Sequence, residues 1–315
     1  MKRALIIGHT GQDGRFLSDL LREKSYEVFG VSSQITDISL LPPDTHVDIR
    51  NPKCVDEVIK IVRPHEVYYL AAVHNSSEDD LSGERSLFHS SIDLNLNSLI
   101  NFLDAIKRCS TNTKLFYASS SHIFGEPEQE MQDELTAISP ICVYGITKAA
   151  GTHICRYYRK QNNIFASVGI LYNHESHLKA PNFVSQKIVH SAIKINKGLQ
   201  SKLVLGDLDA KVDWGYAGDY AQAIFNILQC EFAGDYVVSS GNLHSIKDFL
   251  SCAFGHLGMK WQDYVVVDKS LLSKQKRKSL CGNNRKLISN TGWKPKLRFK
   301  EIVISMVDHA LKKGD

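Results

Sequence analysis

A doubly wound, parallel α/β sheet is what the first half of this sequence predicts, on three observations. Short apolar runs alternate with longer amphipathic stretches, a glycine-rich turn follows the first apolar run directly, and the regular rhythm loosens after about residue 172. Strands are expected at Arg3 to Gly8, Glu27 to Val31, Glu66 to Ala71, Lys114 to Ala118 and Ala166 to Leu171, each rich in Val, Ile, Leu, Phe or Tyr and bounded by polar or turn residues. Helices are expected at about 15 to 24, 52 to 62, 92 to 108 and 143 to 161, where apolar residues recur at spacings of three and four. The looser region, with Pro181 and a basic tract from Lys274 to Lys286, reads as a smaller second lobe. At roughly 150 residues per domain, 315 residues suffice for two such units. The expected division is a dinucleotide-binding domain over 1–172 with a returning segment near 213–238, and a substrate-binding lobe from 173–212 and 239–315. A ligand then sits in the cleft at the carboxyl ends of the strands.

Composition narrows the function classes. Hydrophobic residues are 43% of the chain and charged residues 23%, which excludes a disordered protein. The net charge of +4 is too small for a global nucleic-acid field. Apolar runs such as Ala4 to Ile7 and Val265 to Val267 fall far short of the roughly 20 residues of a membrane helix. Met1-Lys2-Arg3 precedes apolar residues, but Gly8, Gln12, Asp13 and Arg15 interrupt them before a secretory core can form. Seven scattered cysteines without a CxxC pair favour neither a disulfide framework nor a metal site, and a cytoplasmic location is expected.

Gly8-His9-Thr10-Gly11-Gln12-Asp13-Gly14 has GxxGxxG spacing between a strand and a helix. Backbone N–H groups there can approach a pyrophosphate at the positive end of the helix, so the turn predicts a Rossmann-type dinucleotide site. After the second strand, Ser32-Ser33-Gln34 offers neither the acid that takes NAD ribose hydroxyls nor the arginine that takes an NADP phosphate. Asp48 and Ile49 are placed either to meet the adenine or, for Asp48, to cap the helix near Pro52. Leu70, Ala71 and Ala72 either let the chain pass close to the cofactor or simply pack.

Tyr144 and Lys148 stand four apart near the start of a long helix and share one face. A nearby ammonium, with the positive nicotinamide ring, is expected to lower the phenol pKa towards general-base range. Ser119-Ser120-Ser121-His122 follows the preceding strand and brings hydroxyls to the same edge, completing a serine, tyrosine and lysine site for alcohol–ketone oxidoreduction. The plain alternative is that Tyr144 is a surface residue beside an ordinary lysine.

With these motifs in place, the chain resembles the extended short-chain dehydrogenase/reductase superfamily and, within it, the GDP-mannose 4,6-dehydratase family. The resemblance rests on the run from Ala4 to Gly14, on Asn173-His174-Glu175-Ser176, on Leu205 to Lys211, on Asp213-Trp214-Gly215 and on Gly292-Trp293-Lys294-Pro295. It implies a nucleotide-diphosphate sugar substrate, GDP-linked, oxidised first at C4 by NAD or NADP. By that carry-over Tyr144 takes the C4 hydroxyl proton, Ser120 hydrogen-bonds that oxygen, and Lys148 holds the ribose. Asn173 contacts the substrate near its phosphates, and Lys187 is either a diphosphate partner or a solvated helix lysine. The superfamily's habit of pairing helices predicts a homodimer through 92–108 and 143–161, with Ile92, Leu96, Leu99, His153, Ile154 and Tyr157 at the contact.

Four departures shape the functional expectation. The family's glutamate two residues after the catalytic hydroxyl, which removes the C5 proton, is His122 here. Val212 stands in place of an arginine, and an Arg-Pro segment has become Lys274-Gln275-Lys276-Arg277-Lys278. The arginine-rich loop that supports NADP and a tetramer is absent, which puts NAD ahead of NADP. The leading expectation is therefore a C4 dehydrogenase, 4-keto reductase or epimerase acting on a GDP-mannose-type hexose or heptose. A 4,6-dehydratase using His122 is the alternative, since histidine can serve as acid or base near neutral pH. A non-catalytic nucleotide-binding regulator is the rival from another class. Six cations between Lys274 and Lys286, with no acid, form either a diphosphate contact or a solvated loop.

Overall fold

The computed structural model describes residues 1–33, 35–42, 45–73, 84–268, 270 and 278–313. In chain order the first half runs β1 (Arg3–Ile7), α1 (Gln12–Glu23), β2 (Glu27–Val31), β3 (Thr36–Asp37), α2 (Pro52–Val62), β4 (Glu66–Tyr69), α3 (Glu84–Ile92), α4 (Ser98–Cys109), β5 (Lys114–Ser120), α5 (Val143–Asn162) and β6 (Ala166–Leu171). The second half continues through β7 (Asn173–Glu175), α6 (Val184–Asn196), β8 (Leu203–Leu205), β9 (Lys211–Tyr216), α7 (Ala217–Gln229), β10 (Asp235–Val238), β11 (Leu243–Ser245), α8 (Ile246–His256), β12 (Val265–Val267), α9 (Arg285–Thr291) and α10 (Phe299–Lys313).

Seven strands form the main sheet in the order β10-β6-β5-β4-β1-β2-β3, all parallel except the short β3, which runs antiparallel to β2. The two-residue period of a strand sends neighbouring side chains to opposite faces. Leu5, Ile7, Val67, Tyr69, Leu115 and Tyr117 enter one core, with helices α2, α4 and α5. Ala4, Ile6, Tyr68, Phe116 and Ala118 enter a second core on the other face, with α1 and α7. The chain leaves β1 towards β2 and then turns back to β4 on the other side, so the strand order switches between β1 and β4. Crevices at such a point receive ligands in open α/β sheets.

The second lobe has its own apolar core, built on α6, α8 and α10 around Trp214. Its strands form a three-stranded sheet, β11-β9-β7, and the pair β12-β8. Helix α7 and strand β10 return to the main sheet, whereas β9 belongs to the three-stranded sheet. The part of 213–238 that rejoins the first unit thus begins at α7.

Several boundaries differ from the sequence expectation for physical reasons. Helix α1 starts at Gln12 rather than 15, because Gly11 takes the extended backbone of an N-cap. Asn51, not Asp48, caps α2: its side chain accepts from the Lys53 N–H, and Pro52 occupies the first turn. Asp48 instead pairs with Arg50 through both carboxylate oxygens. The helix expected over 92–108 is interrupted by a π turn at Asp93–Asn97. Leu99, expected at a dimer contact, is fully buried in the sheet's own core, and Ile154 packs against that same core. Among the described residues no helix is long and apolar enough to cross a membrane.

Candidate active site

The glycine turn lies at the strand-order switch and is closed by its own sterics. Gly8 has φ +94, and a Cβ on it would stand 2.9 Å from the Ala71 nitrogen. A Cβ on Gly14 would stand 2.4 Å from the Gly8 oxygen. These two glycines therefore let β1, α1 and the chain after β4 meet. Gly11 is exposed and its helix has no side-chain cap, so the first N–H groups of α1 face outward beside partly exposed Thr10. That arrangement fits the pyrophosphate of a dinucleotide.

Around the turn, Leu70 binds through its N–H to the Ile7 oxygen, and Leu70, Ala71 and Ala72 are partly buried along the crevice. Ser32 is held in a tight turn with Ile35, its hydroxyl donating to the Ile35 oxygen at 3.1 Å. Gln34 lies outside the described residues. The Ile49 side chain belongs to the sheet core.

Strand β5 ends on Ser120, which is buried and caps the short turn that follows, accepting the His122 N–H at 3.2 Å. The Ser120 side chain also hydrogen-bonds Tyr144. Four residues along α5, Lys148 is fully buried and donates to the Ala118 oxygen at 2.7 Å, with its ammonium 5.6 Å from the Tyr144 ring centre. His122 meets the Tyr144 ring edge-on, with centroids 5.8 Å apart. Ser120, His122, Tyr144 and Lys148 are thus one cluster at the carboxyl edge of the sheet.

Burial raises the Tyr144 pKa, partly offset by the Ser120 hydrogen bond, and the charges of Asp13 and Cys142 raise it further. Burial also pushes Lys148 down, to about 7, and its side chain donates to the Ala118 oxygen. The lowering expected for Tyr144 has to come from charge brought by a ligand or from a fully protonated Lys148.

Asn173 is exposed on β7, paired in register with Trp214. Lys187 lies in the first turn of α6, partly exposed. The glycine turn reaches this strand: the Gln12 amide donates to the His174 oxygen at 3.2 Å and accepts from the Ser176 hydroxyl at 2.8 Å. Asp13 and His174 are 2.9 Å apart. Of the basic tract, Lys274, Lys276 and Arg277 lie outside the described residues. Lys278 binds the Pro127 oxygen, and Lys286 binds the Asp235 oxygen at the base of the edge strand, so the described cations do not form one patch.

Asn95 was not anticipated from sequence. It is fully buried in the π turn, accepts the Val73 N–H at 3.0 Å and donates to the Thr147 hydroxyl at 2.9 Å. Thr147 in turn donates to the Tyr144 carbonyl. An asparagine amid the apolar residues of a helix is the one signal that marked it.

Comparison with known proteins places this geometry among relatives. The family model for GDP-mannose 4,6 dehydratase matches residues 5–306. GDP-mannose 4,6 dehydratase 2 of Arabidopsis thaliana is 34% identical over 331 residues, covering 99% of this chain and 87% of the relative. GDP-mannose 4,6 dehydratase of Homo sapiens is 32% identical over 339 residues, covering 96% and 90%. Among solved structures, RMD from Pseudomonas aeruginosa complexed with NADPH superposes with a TM-score of 0.85 at 20% identity, covering 99% of this chain and all of that one. UDP-glucose 4-epimerase of Thermus thermophilus with NAD gives a TM-score of 0.79 at 24% identity, covering 98% of each. These structures share the fold.

Proposed function

Because the chain belongs to the GDP-mannose 4,6-dehydratase family, we propose that it oxidises a GDP-linked mannose-type sugar at C4 and then eliminates water across C5 and C6. The observation that carries this reading is the cluster of Ser120, Tyr144, Lys148 and His122 beside the glycine turn. NAD(P), when bound, would supply the hydride acceptor for C4 and the hydride donor for C6 of the alkene. The turn of Gly8, Gly11 and Gly14 would hold its pyrophosphate at the α1 N-terminus, Gly11 on the exposed side and Gly8 and Gly14 closing the turn behind it, with Asp48 and Ser32 assigned to its adenosine end. Tyr144 takes the C4 hydroxyl proton while Ser120 holds that oxygen. The resulting ketone acidifies C5–H: His122 accepts that proton as the C–H electron pair moves into the carbonyl. The pair returns as the C6 hydroxyl leaves, and His122 gives its proton to that hydroxyl so that water departs; hydride return to C6 is completed by a proton added at C5 from solvent, as the proton held by Tyr144 is released to solvent.

Asn173 and Lys187 are assigned to the diphosphate, and the lobe of 173–212 and 239–315 to the nucleotide sugar. The protein is assigned to the cytoplasm as a homodimer through α3, α4 and α5, a reading supported by Ile92, Ile146 and Tyr157, which are 39, 43 and 59% exposed.

A second reading confines the chemistry to C4 without loss of water, as a C4 dehydrogenase, 4-keto reductase or epimerase. It is favoured by the histidine at position 122, where the resemblance leads one to expect a carboxylate. Reaction with GDP-mannose in deuterated water decides between them. Deuterium at C5 with loss of the C6 oxygen supports dehydration; a 4-keto or C4-epimerised product with its C6 hydroxyl intact moves the assignment to the second reading. Tyr144→Phe removes either reaction, by roughly 10²- to 10⁴-fold for loss of a general base. A cellular role unaffected by it would favour the regulator instead.

A further inference from the structure

We propose that Tyr117 is a positioning residue for Lys148, its ring face holding the buried lysine in the ammonium form beside Tyr144. The inference rests on Lys148 serving the oxidation at C4, the step that both readings of the site share.

Tyr117 lies on β5, three residues before Ser120, and is fully buried. The period of the strand turns it to the face covered by α5, opposite to Phe116 and Ala118. Lys148, also fully buried, reaches down from α5 and places Nζ over the Tyr117 ring, 5.0 Å from its centre, and 5.6 Å from the centre of the Tyr144 ring. Nζ donates to the Ala118 oxygen at 2.7 Å. That bond uses one of the three N–H groups of an ammonium.

Tyr117 contributes its ring and not its hydroxyl. The hydroxyl is buried and has no hydrogen-bond partner among the described residues, an arrangement that costs stability and that phenylalanine would avoid. Burial, with the neighbouring Cys155, Tyr144 and Tyr69, raises the phenol pKa far above its ordinary value, so Tyr117 exchanges no proton at neutral pH. Its neighbours fix the ring in place. Gly151, three residues after Lys148 on α5, leaves room for it, since a Cβ there would stand 2.2 Å from the Tyr117 hydroxyl oxygen. Tyr69 lies tilted against it, with ring centres 6.2 Å apart.

The face of an aromatic ring is the negative side of its quadrupole and attracts a cation within about 6 Å, most strongly where water is excluded. The attraction acts on the ammonium and not on the neutral amine, so it favours the protonated state. Burial works the other way and pushes Lys148 down to about 7, while Asp13 on α1 and Cys155 on α5 act to raise it. Tyr144 and Tyr117 are the titratable rings against it, and His122 meets the Tyr144 ring edge-on. Only a charged Lys148 favours the Tyr144 phenolate, so the ring beneath the lysine keeps the general base usable near neutral pH.

The test follows the Lys148 charge through its ε-carbon resonance in the full chain without added cofactor, the signal being identified by its loss in Lys148→Met. Tyr117→Phe retains the ring and is expected to retain the parent's titration midpoint. Adding one, two and then three fluorines to that phenylalanine keeps its shape and weakens the negative face, and the midpoint is expected to fall stepwise. Tyr117→Leu, with no ring, is expected to titrate about one pH unit below the parent. Well above both midpoints that shift leaves about a tenth of the ammonium, so C4 oxidation by Tyr117→Leu is expected to be about tenfold slower there and to approach the parent's rate below both. A midpoint that does not move along the fluorine series overturns the proposal, as does a Tyr117→Phe midpoint as low as that of Tyr117→Leu. An oxidation rate lowered equally at every pH marks a packing role alone and overturns it too. Should the parent fail to oxidise C4 of GDP-mannose, the functional reading fails, and the carbon spectra still decide whether the ring holds the charge.

Discussion

Asp13 Oδ1 lies 2.9 Å from His174 Nε2, joining the glycine turn to the strand that carries Asn173. The other ring nitrogen, Nδ1, is 2.7 Å from the Tyr172 oxygen, which can only accept. Both ring nitrogens are thus within hydrogen-bond reach of an oxygen. The ring also stacks on Tyr220 at 4.5 Å. The glycine turn and β7 are thus held in one frame by a partly buried Asp13–His174 hydrogen bond.

For that pair the expected outcome of Asp13→Asn is a loss of about 1–3 kcal/mol, read by urea denaturation, together with a weaker affinity for the dinucleotide. Burial acts to raise the Asp13 pKa, but the charge and hydrogen bond of His174 and the charge of Lys179 hold it below the ordinary carboxylate value. A depressed carboxyl pKa stabilises the fold above its unfolded value and loses that contribution as pH falls through the folded one. The gap between parent and Asp13→Asn is therefore expected to close in acid. A gap that stayed constant from neutral pH down to pH 3 would rule the Asp13 carboxylate out as its source.

Lys148 gives the opposite sign. Its ordinary pKa of 10.5 is pushed by burial to about 7, so between these values the unfolded chain binds more protons and stability rises with pH. Below about 7 the fold bears the full cost of the buried ammonium. Lys148→Met is expected to be inactive yet more stable than the parent at pH 7, by a few kcal/mol, with the advantage shrinking towards pH 10. Equal stability of the two proteins at pH 7 would contradict the burial argument.

The parts read correctly from sequence are those with local causes. Strands at 27–31 and 166–171 announce themselves by apolar content and flanking turns, and Tyr144 with Lys148 by a four-residue spacing that any helix honours. The parts that escaped depend on partners far along the chain. The π turn at 93–97 is held by the Tyr69 hydroxyl on the Leu94 oxygen and by the side chain of Asn95, and no periodicity contains those contacts. Asp48 and Asn51 are equally good caps by composition, and only the backbone path selects Asn51. The depression of Lys148 comes from complete burial, whereas spacing alone suggested an ammonium free to act on the phenol.

Asn95 tests the π turn directly. Asn95→Ala removes the acceptor of the Val73 N–H and the donor to the Thr147 hydroxyl, which keeps its own bond to the Tyr144 carbonyl. Each unsatisfied group costs about 1–3 kcal/mol, and the loosened Thr147 lies one hydrogen bond from the Tyr144 backbone. The expected result is a clear drop in thermal stability with a fall in kcat larger than any rise in KM. A variant with parental stability and kcat would show that the π turn is maintained without Asn95.

The homodimer is open to an equally direct check. Tyr157 is 59% exposed on α5, its ring edge-on to Tyr158, whose hydroxyl is fixed on Asp104 at 2.7 Å. The aromatic is thus presented from a braced surface on the same side as exposed His153. Large aromatics of this kind dominate interface energetics, at about 2 kcal/mol or more each. A two-fold axis would use both copies of Tyr157, so one substitution acts twice. Light scattering at micromolar concentration is expected to give a dimer for the parent and a shift towards monomer for Tyr157→Glu, with the fold intact by circular dichroism. A parent that is already monomeric would refute the assembly, and an unshifted Tyr157→Glu dimer would move the contact to another face.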